Sequence, residues 1–266
     1  MNPQPTPSTP IPLSSGPTGT AAWPRPARRL AAGRGTSWWS EGWRVFTAAP
    51  ALWIGMIVVM VIIILLLNLV PFLGMIAQAI LWPMFTGGLL LGCHALAQGK
   101  PLTFNHLFAG FKDGHAGPLA ILGLIGLAIS TVLMLVVMML GFGAAGMTGA
   151  GLYAFSDPST ALGSAWAGAG LAVLLAMLVL LVAGALLWMA WFFAGPLVVL
   201  NGAAPLDALK ASFRASRANL GALSLFVLVF IALAMVASIP LGLGWLVLGP
   251  VAVGASYAAW REVFGA

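Results

Sequence analysis

Charged residues are scarce in this chain of 266 residues, which carries eleven Lys or Arg and five Asp or Glu. Charged residues make up 6% of it and hydrophobic residues 61%, whereas a soluble domain has about 25% and 45–50%. So few charges cannot cover a water-exposed surface, which excludes a soluble globular protein. The charge-free runs reach 55, 43, 49 and 43 residues, and about 20 apolar residues already cross a bilayer as a helix. The sequence therefore predicts a multi-pass membrane protein.

Acidic residues are also too dispersed for carboxylate catalysis, which needs two acids that flank one substrate. The five lie on separate connectors and tails: Glu41, Asp113, Asp157, Asp207 and Glu262. The sequence also lacks a Gly-x-Ser-x-Gly nucleophile elbow and a phosphate-binding loop with its Lys. Proton-coupled transport is disfavoured because no apolar run holds a charged residue. We expect no enzyme, no catalytic residue and no cofactor.

Cysteine and histidine are too few and too poorly spaced for a metal centre. The single cysteine, Cys93, excludes an internal disulfide. Together with His94, His106 and His115 it matches no zinc-ligand spacing, and neighbouring side chains on a helix diverge by about 100°. The net charge is +6, but the basic residues lie beside the apolar runs rather than in one basic domain. We expect no metal and no nucleic-acid partner.

The apolar runs indicate helices, because a membrane β-barrel would alternate apolar and polar residues. The first and last runs suffice for two crossings each, and Pro71 and Pro240 divide them, since proline interrupts a helix. Each middle run holds one crossing, and a Gly/Ala/Ser-rich outer loop at about 142–168 separates the two. We expect an all-α membrane fold of six helices in three hairpins, with spans at about 51–70, 73–97, 118–141, 169–195, 220–239 and 242–260.

Proline sets the first 34 residues apart from the rest of the chain. Eight prolines stand there among Ser, Thr and Gly, which predicts a disordered tail at 1–34 ahead of a transmembrane domain at 35–266. When alternate segments are assigned to opposite sides of the membrane, all eleven Lys and Arg fall on one side. The positive-inside rule makes that side cytoplasmic, so we expect both termini in the cytoplasm.

Amphipathic connectors precede the three hairpins. Their apolar residues recur at helical spacing: Trp39, Trp43 and Phe46; then Phe104, Leu107, Phe108 and Phe111; then Leu206, Leu209, Phe213 and Leu220. The third connector also carries a charged stripe of Asp207, Lys210, Arg214 and Arg217. We predict three cytoplasmic interfacial helices, and with them three repeated units of one interfacial helix and one hairpin.

Five basic side chains are candidates for contact with anionic lipid or a protein partner: Lys210, Arg214, Arg217, Arg44 and Lys112. Each basic group near an anionic surface contributes about 1 kcal/mol. The alternative is that these residues only set the orientation of the chain in the membrane.

Small residues four apart indicate close helix packing in two of the spans. Gly88 with Gly92 and Gly254 with Ala258 are small-xxx-small pairs, which let helix backbones approach closely. We favour packing within the chain over a homo-oligomer. Pro83 and Pro250 lie in the same two spans, where a kink either lines a cavity or only shapes the bundle.

Three segments carry a resemblance to a known family. They are residues 27–46, with Ala-Gly-Arg-Gly followed by Gly-Trp-Arg-Val-Phe, then Gly88-Leu-Leu-Leu-Gly-Cys, then His106-Leu-Phe-Ala-Gly-Phe. Over about residues 27–265 the chain resembles the BPSS-type family of uncharacterised proteobacterial multi-pass inner-membrane proteins. The resemblance implies a bacterial inner membrane, and it implies no activity and no catalytic residue.

Two functions remain open at this level. The first is a non-catalytic membrane protein whose basic connectors contact membrane lipids or a protein partner, as the stripe on the third connector indicates. The second is a transporter or channel for a neutral or amphiphilic substrate, which the repeated units and the prolines within spans favour.

Overall fold

The computed structural model describes residues 26–70, 72–112, 114–147 and 158–265, whose regular secondary structure is helical and includes no strand. Its nine α-helices are α1 Arg34–Thr47, α2 Pro50–Asn68, α3 Leu73–Ala97, α4 Ala116–Met147, α5 Pro158–Trp191, α6 Ala194–Asn201, α7 Pro205–Ala218, α8 Leu220–Ser238 and α9 Trp245–Phe264. A 3₁₀ segment, Phe104–Phe111, lies between α3 and α4. Most of the predicted tail (1–25), Pro71, Asp113 and residues 148–157 of the predicted outer loop lie outside the described residues.

Among the described residues, five segments are long and apolar enough to cross a membrane: Pro50–Asn68, Leu73–Ala97, Ala116–Leu140, Val173–Asn201 and Leu220–Ser238. The predicted all-α class is confirmed for the described residues. The sixth predicted span, at 242–260, corresponds to α9, which is not among the five. Gly, Ala, Tyr and Ser dilute the large apolar side chains of α9, and Arg261 and Glu262 lie in its last turn.

The two middle helices are longer than the predicted spans. Helix α4 continues to Met147 and α5 begins at Pro158, so the predicted outer loop at 142–168 is wrong over most of its length. The Gly/Ala-rich sequence misled the prediction, because Ala is the best helix former and Gly is common in membrane helices. Proline at the first position of α5 suits a helix start.

The predicted fourth span, at 169–195, is not one continuous helix, because α5 ends at Trp191 and α6 starts at Ala194. A serine of α7 causes the break. Ser212 Oγ accepts a hydrogen bond from the Phe193 N–H at 3.0 Å and donates one to the Met189 carbonyl at 2.9 Å. These two backbone groups would bond each other in a regular helix, so the hydroxyl has entered the helical ladder and interrupted it.

The amphipathic connectors do not pack mainly on the helix pair that follows them in sequence. Helix α1 packs on α9 and α8, the 3₁₀ segment packs on α3, and α7 packs on α5. Since α2 packs on α3, α4 on α5 and α8 on α9, each connector lies against the second helix of a pair. The first connector closes the arrangement by packing on the last helix.

Helix α1 therefore lies within the bundle rather than only on its surface. Trp38, Trp39 and Phe46 are buried, whereas Trp43, which we predicted on the same face, is 52% exposed. Residues 28–30, which we assigned to the disordered tail, lie against the bundle too. The Arg28 N–H donates to the Val263 carbonyl at 2.8 Å.

The turns that follow α2 and α8 share an uncommon backbone conformation. Phe72 and Leu241 have φ of 60° and 52°, and each directly follows a proline in the sequence. Side chains other than glycine rarely adopt positive φ. The two turns thus share one local backbone conformation, and the threefold repeat stays a prediction.

The core gathers where α1, α3, α6 and α9 meet. Its largest fully buried side chains include Trp38, Trp53, Phe85, Phe193 and Trp260. Elsewhere α2, α4, α5 and α8 expose large apolar side chains, among them Leu65, Leu66, Met139, Leu181, Leu228 and Met235. Apolar surface on this scale suits hydrocarbon rather than water.

Candidate functional site: an apolar crevice beside a basic helix

The five candidate basic residues are all exposed, but the structure does not bring them into one patch. Lys210, Arg214 and Arg217 share one face of α7, and within the described residues none of them forms an ion pair. Arg44 lies on α1 and is engaged with Glu41, with Nη2 and Oε1 3.0 Å apart. Lys112 follows the 3₁₀ segment. Of the five candidate residues, those on α7 thus form a continuous row of unpaired positive charge within the described part of the chain.

Helix α7 has three faces rather than the predicted two. Its buried face consists of small residues, Ala208, Ala211, Ser212, Ala215 and Ser216, together with Leu209. Leu206 and Leu220 of the predicted apolar stripe are 58% and 52% exposed, so they are not part of the buried face, and Leu220 already belongs to α8. They lie about a third of a turn from the buried face, next to the charged stripe.

The small face of α7 attaches it to α5. Ser212 Oγ and Ser216 Oγ both donate to the Met189 carbonyl at 2.9 Å. At the end of α7, Asn219 is buried, and it receives a hydrogen bond from the Leu30 N–H at 2.8 Å and donates to the Arg28 carbonyl at 2.9 Å. Helix α7 is therefore tied both to the broken α5–α6 helix and to the N-terminal stretch.

A large apolar crevice lies between these elements, with a volume of about 1060 Å³. Its walls come from α5 and α6 on one side and from α8 on the other, while α3, α4 and α9 close its inner end. Ligand sites in proteins usually measure about 300–1000 Å³. The crevice is thus at the upper end of the size that holds a small molecule.

The crevice is deep at one end and open at the other. Leu90, Leu122 and Leu223 in its interior are at most 4% exposed, while Leu181 and Leu228 at its rim are 71% and 62% exposed. The rim residues belong to apolar stretches of α5 and α8 that can cross a membrane. The opening is therefore flanked by two helices that are apolar enough to cross a membrane.

The lining presents almost no polar chemistry, and no charged side chain of the described residues contributes to it. Thr86 Oγ1 donates to the Trp82 carbonyl at 3.0 Å and Ser256 Oγ to the Val253 carbonyl at 2.8 Å, so both hydroxyls are satisfied within their own helices. The Ser224 hydroxyl and the Trp188 indole N–H form no hydrogen bond within the described part of the chain. The crevice suits a hydrocarbon chain that carries few polar groups.

Helix α1 supports the crevice from behind. The Trp39 ring stacks on Phe226 with centroids 4.7 Å apart, and its indole N–H donates to the Phe226 carbonyl at 3.2 Å. On its other side Phe226 meets Phe192 edge-on at 5.1 Å. This row of three rings joins α1, α8 and the α5–α6 break, so it fixes the position of two walls.

A smaller polar cavity of about 310 Å³ lies where α1 meets the end of α9. Two glutamates that we expected to be scattered both line it: Glu262 pairs with Arg34, with Oε1 and Nε 2.5 Å apart, and Glu41 pairs with Arg261, with Oε2 and Nη2 2.9 Å apart. Burial raises the pKa of Glu262, but hydrogen bonds from Arg34 and Trp38 outweigh it, so the pKa lies below its ordinary value. An ionised and fully engaged carboxylate is a poor general acid.

The candidate metal ligands take part in other contacts. His94 Nδ1 lies 3.0 Å from Tyr257 Oη, and its Nε2 lies 2.8 Å from Gln98 Nε2. His106 Nδ1 accepts a hydrogen bond from the Thr103 N–H at 3.0 Å. Within the described residues, no three His, Cys, Asp or Glu side chains stand close enough to hold one ion.

The structure places the small-xxx-small residues at crossings within the chain. A Cβ on Gly88 would meet the His106 carbonyl of the 3₁₀ segment, and one on Gly254 would lie 2.9 Å from Gly42 Cα of α1. A Cβ on Gly92 would lie 2.8 Å from Leu102 Cδ1, and Ala258 is buried. The 3₁₀ segment and α1 thus cross α3 and α9 at Gly88 and Gly254.

Sequence reasoning missed Ser212, Asn219 and the pairing of Glu41 with Arg261. Ser212 and Ser216 stand four apart on one helical face, which is a visible signal for a polar contact with a neighbouring helix. A lone Asn between two helices is a weaker signal of the same kind. Nothing in the linear sequence relates Glu41 to Arg261, which lies 220 residues away.

Comparison with known proteins gives one match. A family model described as "Domain of unknown function (DUF7847)" matches residues 115–262, which is more than half of the chain. The matched region contains α4 to α8 and most of α9, and with them all crevice walls except α3. No curated protein and no solved structure matches the chain.

Proposed function

Because the chain belongs to the DUF7847 family, whose function is unknown, we propose its role from its own geometry: it is a non-catalytic membrane protein that binds an amphiphile, such as a membrane lipid, in the lateral crevice. The observation that carries this proposal is a cavity of about 1060 Å³ with an apolar lining and an opening between two apolar helices.

The topology is part of the same proposal. We propose six crossings in three hairpins, with α9 as the sixth, both termini in the cytoplasm and the membrane a bacterial inner membrane. The distribution of Lys and Arg supports the orientation, and the resemblance to the BPSS-type family supports the location. In this orientation α1, the 3₁₀ segment and α7 all lie on the cytoplasmic side.

A crevice of this size does not stay empty in liquid hydrocarbon. Atoms that line a void lose their dispersion contacts on one side, and an acyl chain enters an apolar crevice without leaving any polar group unsatisfied. Hydrocarbon alone gives little selectivity, because lipid tails are as apolar as the lining. Selectivity for one amphiphile must therefore come from groups at the rim.

Helix α7 supplies such groups. Met189 lines the crevice and accepts the hydrogen bonds of Ser212 and Ser216, so α7 is fixed beside it. Arg217 precedes Leu220, the first crevice residue of α8, by three positions. A chain held in the crevice would bring an anionic headgroup next to this basic face, which favours anionic amphiphiles over zwitterionic ones.

The test fills the crevice without disturbing the packing of the protein. A Cβ added to Gly184, which lines the crevice, meets no atom within 4 Å. Gly184→Trp should therefore leave the fold and the melting temperature unchanged but occupy the space of the ligand. We expect the purified variant to lose most of the lipid that the wild type retains through detergent washing, as measured by mass spectrometry.

Gly170→Trp is the matched control. Gly170 lies on the same helix, a Cβ there also meets no atom within 4 Å, and the residue lies outside the crevice. We expect it to retain lipid as the wild type does. Equal retention by all three proteins would rule out a crevice ligand.

A transporter of an amphiphilic substrate is the second candidate, and the break between α5 and α6 favours it. Pro83, Phe192 and Pro196 line the crevice, and interrupted helices at a binding site are common in transporters. Proteoliposomes with a fluorescent lipid in one leaflet distinguish the two functions. A transporter accelerates exchange between leaflets, and Gly184→Trp abolishes the acceleration, whereas a protein that only binds leaves the exchange rate unchanged.

A further inference from the structure

The polar cavity at the junction of α1 and α9 is separate from the crevice, since no described residue lines both. Three arginines line it, Arg28, Arg34 and Arg261, together with Glu41 and Glu262. Arg44 contacts Glu41 from outside the cavity. Positive charge therefore exceeds negative charge at this site.

Every carboxylate oxygen of the two glutamates already has one partner. In Glu262, Oε1 pairs with Arg34 and Oε2 accepts the Trp38 indole N–H at 2.7 Å. In Glu41, Oε2 pairs with Arg261 and Oε1 with Arg44. Each guanidinium has five N–H donors and each carboxylate about four lone-pair sites, so the three arginines have more donors than the two carboxylates have acceptor sites. Donors therefore outnumber carboxylate acceptors at this cavity.

The surplus positive charge at the cavity is that of Arg28. Its guanidinium forms no hydrogen bond or ion pair with the described residues, although its backbone is held at both ends. The Arg28 N–H donates to the Val263 carbonyl at 2.8 Å, and its own carbonyl accepts from Asn219 Nδ2 at 2.9 Å. The buried Asn219 side chain thus holds this non-helical stretch in place. The stretch presents the unpaired Arg28 guanidinium to the cavity.

We propose that this cavity binds a phosphate-type anion, coordinated by Arg28 and by the free donors of Arg34 and Arg261. Arginine forks match the geometry of phosphate oxygens, and about 310 Å³ holds a phosphate group with a small substituent. The group belongs either to a soluble phosphate compound or to a lipid headgroup at the cytoplasmic leaflet. The site does not depend on the crevice or on the function proposed for it.

The experiment uses the full chain in a neutral detergent and titrates it with inorganic phosphate at constant ionic strength by calorimetry. A second arm compares nanodiscs of phosphatidylcholine alone with nanodiscs that also contain phosphatidic acid, and measures the melting temperature. The variants are Arg28→Gln and, as the matched control, Arg29→Gln. Arg29 is the exposed neighbour with the same charge, and it does not line the cavity.

We expect Arg28→Gln to weaken binding at least about tenfold, the effect of losing charged hydrogen bonds, and Arg29→Gln to leave it nearly unchanged. Saturable binding of inorganic phosphate assigns the site to soluble phosphates, and stabilisation only by phosphatidic acid assigns it to lipid. No saturable response in either arm, or an equal loss in both variants, would overturn the proposal. Arg28→Lys keeps the charge without the fork, and an intermediate affinity supports paired hydrogen bonds over simple charge.

Discussion

Two helix crossings, α1 on α9 and α7 on α5, attach similar connectors to similar spans by different chemistry. At the first crossing Gly42 and Gly254 allow the two backbones to touch, and Trp38 and Trp39 fill the sides. At the second, Ser212 hydrogen bonds into the backbone of the broken helix. The first crossing depends on close packing of small and aromatic residues, and the second depends on hydrogen bonds. A common architecture therefore does not imply a common source of stability.

The most damaging change should be Gly42→Leu, which adds a side chain where the two packed helices leave no space for one. A Cβ on Gly42 would collide with the Val251 carbonyl, so a backbone has to move. We expect a loss of about 3 kcal/mol in the free energy of unfolding, the upper range for overpacking, measured in mixed micelles. Gly33→Leu is the control, because a Cβ there meets no atom within 4 Å. Equal losses in the two variants would mean that close approach does not hold this crossing.

A smaller loss should follow from Ser212→Ala, which removes hydrogen bonds and almost no volume. The Phe193 N–H loses its partner, while the Met189 carbonyl keeps Ser216. One buried donor without a partner costs about 1–3 kcal/mol. Ser216→Ala is the matched control and should cost less, since Met189 then keeps Ser212. If Ser216→Ala proves the more harmful in the same unfolding measurement, Ser212 does not set the break.

The smallest effect should come from Glu262→Gln, which tests the charges beside the first crossing. Partly exposed ion pairs contribute about 0–1 kcal/mol, and the Glu262 side chain is 25% exposed. Because the pKa of Glu262 is lowered in the folded protein, its ion pair stabilises the protein above the ordinary pKa of 4.5. That contribution disappears as the pH falls through the lowered value.

The difference in melting temperature between wild type and Glu262→Gln should therefore be constant above pH 4.5 and shrink below it. The Ser212→Ala difference serves as the reference, since no titratable group takes part in its hydrogen bonds. A Glu262→Gln difference that is the same at neutral and acidic pH would show that charge contributes nothing at this crossing.

Local sequence predicts much of this fold because membrane helices follow from local composition. The predicted span at 73–97 has the bounds of α3, and that at 220–239 differs from α8 by one residue. Charge-free apolar runs and interrupting prolines were sufficient signals for both. The bounds of the outer loop were predicted wrongly, because Gly- and Ala-rich sequence is compatible with either a loop or a membrane helix.

The candidate sites depend on contacts between distant residues, which periodicity does not reveal. The break at Phe192 and Phe193 comes from Ser212, nineteen residues after Phe193. The polar cavity joins the beginning of the described chain to its end, through contacts such as Arg34 with Glu262. The crevice lies between the α5 and α8 walls, and a gap between helices leaves no pattern in the sequence of either one.

The packing of α1 against the last helix also imposes an order in time. About 200 residues separate α1 from α9, and at about 5–20 residues per second their synthesis takes roughly 10–40 seconds. During that interval Trp38 and Trp39 have no place in the core, since the surfaces that bury them belong to α8 and α9. Helix α1 can therefore dock only after α9 has been synthesised, so this contact is among the last that the chain can form.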